Sequence, residues 1–172
     1  MSRTEFSRMV RVRPAPPDQI AIEASEAERA ALADRFEVVA IRSLHAELAF
    51  NLDGDAIEAR GTLTAELVQS CAVSGEDFPV RIVEPVALRF VQEARSVDPE
   101  EEAELPADEP DEIEFTGDAF DVGEAIAQSL GLAIDPFAEG PNADAARRDA
   151  GIVEEGEAEG PLADMLRGLK PG

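Results

Sequence analysis

From Leu44 to Leu67 the apolar residues fall on every second position, and the run is broken once, by Asp53, Gly54 and Asp55. Leu44, Ala46, Leu48, Phe50 and Leu52 lead into the break, and Ile57, Ala59, Gly61, Leu63, Ala65 and Leu67 lead out of it. A period of two places alternate side chains on opposite sides of an extended chain, so each run is a strand with one buried face. Asp-Gly between two such runs is the strongest local signal for a hairpin. A chain with this centre is committed to a β-sheet, on which its other segments must find places. The alternation stops again at Ser74, Gly75, Glu76 and Asp77 and resumes at Val80, Ile82, Val86, Leu88 and Phe90. That pattern predicts a second hairpin, or two neighbouring strands of the same sheet.

The flanks supply helices and short strands. Phe6, Val10 and Val12 predict a first strand over residues 6 to 12, ended by Pro14, Pro16 and Pro17, which lack amide donors. Ser25 with Glu28 is a capping box, and the Ala- and Glu-rich stretch behind it predicts a helix over residues 26 to 35, with an apolar stripe of Ala27, Ala31, Leu32 and Phe36. Val39 and Ile41 suggest a short strand, as do Ile113 and Phe115. Asp121 with Glu124 caps a second helix, whose buried face is Val122, Ala125, Ile126, Ser129, Leu130 and Ala133. Gly131 is a weak point near its end, and Asp135 and Pro136 stop it. The fold class expected is α+β: a curved antiparallel sheet or partly closed β-barrel of about six strands with two packed helices. This domain takes up residues 1–137 with an acidic loop at 93–111, and residues 138–172 read as a flexible tail with one short helix at 162–169.

Charge narrows the partners. The net charge is −23 over 172 residues, and it is unevenly placed. Residues 1–90 hold fifteen acids and ten bases, whereas residues 93–124 hold fourteen acids and one base. Such a field repels a polyanion except at a local basic patch, because nucleic-acid affinity comes largely from phosphate neutralisation. Basic proteins are the natural electrostatic partners, and solubility alone is the plainer explanation. The one locally basic stretch is Arg3, Arg8, Arg11 and Arg13, to which Arg81 and Arg89 add candidate RNA contacts. Glu100, Glu101, Glu102 and Glu104 form the densest part of the acidic loop.

Catalytic motifs are missing. The chain has one Cys and one His, too few for an internal disulfide or for a zinc site of nitrogen and sulfur ligands. No nucleophile elbow, phosphate-cradling loop or HExxH is present. His45 falls on the polar side of its strand, and Cys71 at a strand end reads as a small packed residue. No cofactor, metal or catalytic residue is expected. The charged N-terminal stretch and the lack of a run of about 20 apolar residues lead to the expectation of a cytoplasmic protein with no membrane partner.

The order of elements, with particular residues, resembles the YceD family, the large ribosomal RNA subunit accumulation proteins of bacteria. The residues that carry the resemblance are Gly61, Ala65, Gln69, Ser70 and Cys71, then Phe78, Pro79 and Val80, then Glu84, Pro85, Arg89 and Phe90, and downstream Asp121, Gly123, Glu124 and the run LGLAIDPF. It covers residues 5 to 145. Many relatives carry a second Cys three residues after the first, where this chain has Ser74, and a Cys-rich C-terminal end, where it has Asn142 and Ala143. A metal-binding role of such relatives does not carry over. The resemblance implies a non-enzymatic factor for accumulation of 23S ribosomal RNA in large-subunit biogenesis. Its partner would be ribosomal RNA or a pre-50S particle, with no DNA. The alternative is an escort for a basic ribosomal protein, with residues 98 to 121 standing in for RNA. A small-molecule-binding barrel or enzyme is the outsider.

Overall fold

In a computed structural model, the structure describes residues 4–93 and 110–151. They fall into two compact units, one from residues 4–69, 79–93 and 110–135, the other from residues 70–78 and 136–151. The elements run β1 (Met9–Arg11), β2 (Gln19–Glu23), α1 (Glu26–Phe36), β3 (Ala40–Asp53), β4 (Ala56–Ser70), β5 (Asp77–Gln92), β6 (Asp111–Phe115), β7 (Ala119–Asp121), α2 (Val122–Ala133) and α3 (Ala143–Asp149).

In the first unit, the alternating run becomes the β3–β4 hairpin, in register from Leu44↔Ala65 to Asp53↔Ala56. Its two-residue loop is Gly54-Asp55, with Gly54 at φ 62, a left-handed conformation that glycine enters without a Cβ penalty. The main sheet has five strands in the order β2-β3-β4-β5-β6. Leu44, Ala46, Leu48, Ala59, Leu63, Ala65, Leu67, Leu88 and Phe90 are all buried, so one face of this sheet is the floor of the core. Leu32 and Ala33 of α1 and Val122, Ala125, Ile126 and Leu130 of α2 pack into the same cluster.

Both helices start where capping chemistry predicts. The Ser25 hydroxyl accepts from the Glu28 amide while the Glu28 carboxylate accepts from the Ser25 amide, which completes the capping box. Asp121 accepts from the Glu124 amide and opens α2. Phe120, just before that cap, is 2% exposed, stacks on Phe90 at 4.1 Å and meets Phe115 at 5.6 Å and Phe50 at 5.9 Å. This aromatic cluster fastens β7, and through it the start of α2, to the sheet.

The edge strands, β2 and β6, are not paired with each other, so the sheet is open, one of the two forms expected, and does not close into a barrel. It departs from expectation in three ways. The strand expected at residues 6 to 12 is only Met9–Arg11, and it pairs with β7 in a separate two-stranded sheet. β2 and β7 were not expected, although Ile20 and Ile22 of β2 alternate as a strand's do; β7, with three residues, is too short to show a period. β6 runs parallel to β5, from Leu88↔Asp111 to Gln92↔Phe115, in a sheet expected to be wholly antiparallel. Gly131 also has a purpose: a Cβ there would lie 2.8 Å from the Phe36 ring, so its missing side chain lets α1 and α2 pack.

In the second unit, residues 71–76 turn, the Cys71 N–H donating to the Glu76 carbonyl at 2.8 Å. The Ala72 N–H donates to the Ala138 carbonyl at 3.0 Å, and the Asn142 amide donates to the Glu76 carboxylate at 2.7 Å. Helix α3 lies in the stretch read from composition as tail, with Arg147 at its C-terminal end paired to Asp144 and Glu139. The helix expected at 162–169 and the loop residues 94–109 lie outside the described residues.

Candidate functional site

The six arginines read as RNA contacts fall into three groups. Arg8 is committed internally: its guanidinium grips both oxygens of Glu28 at 2.7 and 2.9 Å and donates to the Glu23 carbonyl, with its plane over the Phe6 ring. The hydrogen bonds from Arg8 hold the Glu28 carboxyl well below its usual range, at about 2. Arg89 is also committed, donating to Asp53 at 2.7 Å and to Glu58 at 3.3 Å. Arg11, Arg13 and Arg81 are exposed, and no described carboxylate pairs with them. Arg3 lies outside the described residues, as do Glu100, Glu101, Glu102 and Glu104. Among the described residues, two of these arginines are therefore paired within the chain and three are not.

Most residues of the suspected family motif have architectural work. Asp121 receives the Arg8 amide at 2.8 Å on one oxygen and the Ser7 hydroxyl at 2.7 Å on the other, while capping α2. Next to it a Cβ on Gly123 would come within 2.7 Å of the Arg8 nitrogen, so only glycine lets the helix start and the N-terminal segment approach this closely. Gln69 is buried at 6% exposure and donates to the Asp135 carbonyl at 2.9 Å, tying the end of β4 to the segment after α2. The Cys71 N–H points to Glu76, so stepping in twos turns the amides of Phe78, Val80 and Ile82 toward β4. Pro79 and Pro85 occupy the opposite parity, where the missing N–H removes no ladder bond and blunts the open side of β5. Glu84 is exposed and has no described partner. His45 sits on the solvent side of β3, its Nε2 3.5 Å from Glu47.

The other face of the main sheet carries the unassigned chemistry. By strand alternation it presents Glu23, Glu47, Asp53, Glu58, Glu66, Glu112 and Glu114 against Arg60, Arg81 and Arg89. Arg60 and Arg89 are already paired with carboxylates on that face. Its surplus is negative. A shallow depression of roughly 450 Å³ lies here, lined by residues of β2, β3 and β4 that include Gln19, Glu47, Arg60 and Thr62. Reading alternation gave which side of each strand was polar, but only the ladder showed which charges cancel.

The family model described as "Large ribosomal RNA subunit accumulation protein YceD" matches residues 59–162, more than half of the chain. The chain belongs to the YceD family. The family description places it in the accumulation of large-subunit ribosomal RNA, and so in ribosome biogenesis. No curated protein and no solved structure matches this YceD chain. The matched span starts in β4 and contains Gln69, Cys71, Pro79, Glu84, Pro85 and Asp121.

Cys71 is surrounded by hydrogen-bond donors in this YceD chain. The thiol is buried and accepts from the amides of Val73 at 3.4 Å and Ser74 at 3.3 Å. Hydrogen bonds from the Ser74 side chain and amide, and from the Gly140 amide, pull it down to about 7. Among the described residues, no three His, Cys, Asp or Glu side chains converge. No described helix is long and apolar enough to cross a membrane.

Proposed function

We propose that this YceD-family protein supports large-subunit biogenesis by binding, without catalysis, and that the partner it holds is a basic ribosomal protein. One observation carries the reading: the open sheet face has a surplus of carboxylates, and two of its three arginines are neutralised from within. A surface of this kind repels phosphate and attracts Lys- and Arg-rich chains. Of the acidic residues 98 to 121, Glu112 and Glu114 lie on this face and would stand in for RNA until the partner is handed to the nascent particle.

The direct RNA reading keeps some support from Arg11, Arg13 and Arg81, which are exposed and without a described partner. Affinity purification of the tagged protein from native lysate, with half the sample treated with RNase, separates the two. A basic ribosomal protein retained after RNase, and released by about 0.5 M salt as screening requires, is the expected result. Loss of every partner with RNase, together with weaker RNA binding by the Arg11→Ala, Arg13→Ala double variant, would overturn the escort reading in favour of RNA.

A further inference from the structure

The open sheet has edges of different kinds. β5 is open where β6 does not reach it, and there Pro79 and Pro85 break the row of amides. β6 is an edge strand with no proline. One of its sides is laddered to Leu88–Gln92 of β5, and no described backbone group pairs with the other. An unpaired row of N–H and C=O groups is a template for an added strand. Asp111, Glu112 and Glu114 are exposed along this template and no described base forms a salt bridge with them, although Glu112 stands across the ladder from Arg89 and its charge acts on it.

Like charges set opposite each other across a strand pair are unfavourable, so the same carboxylates discourage a second copy of β6. They favour an extended strand with Lys or Arg at alternate positions. We infer that β6 is a strand-addition edge for an extended cationic segment, whose backbone pairs with residues 111–115 and whose basic side chains lie opposite Glu112 and Glu114. This rests on the escort reading and adds how and where the basic partner is held.

The test uses the full-length protein and a short peptide alternating lysine and valine, beside the same peptide N-methylated at alternate amides, which keeps the charge and removes the ladder donors. Binding followed by calorimetry should weaken about tenfold or more on N-methylation, the loss expected of main-chain pairing. The Glu112→Lys, Glu114→Lys variant, changed only at exposed positions, should lose a similar factor. Hydrogen exchange of the amides at residues 112–115 should slow when the unmodified peptide is bound. Equal binding of both peptides with unchanged exchange at β6 would overturn strand addition and leave the charge-based reading standing. Failure of both peptides and of basic ribosomal proteins to bind would overturn the reading itself, and the inference with it.

Discussion

The two faces of the main sheet use charge in opposite ways. On the covered face, Arg8, Glu28 and Asp121 sit at the junction of the N-terminal segment, α1 and α2, and their hydrogen-bonding groups are taken up within the chain. On the open face, Glu112 and Glu114 are exposed and in no salt bridge with a described base, Arg89 acting on Glu112 only across the ladder. A charge closed within the fold contributes to architecture and is withheld from a partner; one left open contributes little to stability and is available. The difference separates Arg8, closed within the fold by Glu28, from Arg11 and Arg13, which are exposed and without a described carboxylate. Substitutions on the covered face should act on stability, and those on the open face on binding.

The largest stability effect should come from Phe120→Ala. It removes a ring that meets Phe90, Phe115 and Phe50, and a buried Phe replaced by Ala costs about 3–5 kcal/mol. Chemical denaturation should show a lower midpoint with little change in slope. A loss below about 1 kcal/mol would mean that β7 is not fastened through this cluster.

Asp121→Ala comes next. The Arg8 amide, the Glu124 amide and the Ser7 hydroxyl lose their acceptor together, and a lost cap with an unmatched amide costs about 2 kcal/mol. Asp121→Asn keeps an acceptor and should recover part of it in the same denaturation series.

How far the sequence showed this can be argued from the same residues. The β3–β4 hairpin, the capping box at Ser25 and the cap at Asp121 were legible, because periodicity and capping are local and repeat over many residues. β7 was hidden, since Ala119–Asp121 is too short to show a period, whereas Ile20 and Ile22 of β2 alternate as Ile113 and Phe115 do and β2 was not expected. The parallel sense of β6 is likewise set by where the chain returns to the sheet. For the candidate site, composition gave the negative charge but not its distribution: that Arg8 answers Glu28 and Arg89 answers Asp53 depends on contacts between distant segments. Gly131 misled because helix propensity describes an isolated helix, whereas the space it leaves is filled by Phe36 of another.

The Arg8–Glu28 pair gives a smaller effect with a defined pH window. Glu28 is held at about 2, below an ordinary value of 4.5, chiefly by the hydrogen bonds from Arg8. A carboxyl depressed in the folded state contributes stability that is fully present above about pH 4.5 and is lost as pH falls toward 2. Allowing for partial exposure of both side chains, the contribution is on the order of 1–2 kcal/mol. Melting temperatures from pH 6 to pH 3 should therefore converge for wild type and Glu28→Gln as pH falls. Because all other carboxylates titrate in both proteins, the difference isolates Glu28, and curves that stay parallel would show that the ion pair does not contribute.

The smallest stability effect should come from the open face, and its smallness is the informative part. Glu112→Gln with Glu114→Gln breaks no salt bridge, loses only the longer-range attraction between Glu112 and Arg89 across the ladder, and relieves repulsion in a chain of net charge −23. Thermal stability should change by less than about 0.5 kcal/mol, in either direction. Retention of a basic ribosomal protein should nevertheless fall, and the loss should be greatest at low salt, where Coulomb attraction reaches furthest. If the double variant were destabilised by as much as Asp121→Ala, these carboxylates would belong to the architecture after all and the contrast between the two faces would fail. If stability and retention were both unchanged, the contrast would stand as a statement about folding, and the partner would have to be sought at Arg11, Arg13 and Arg81.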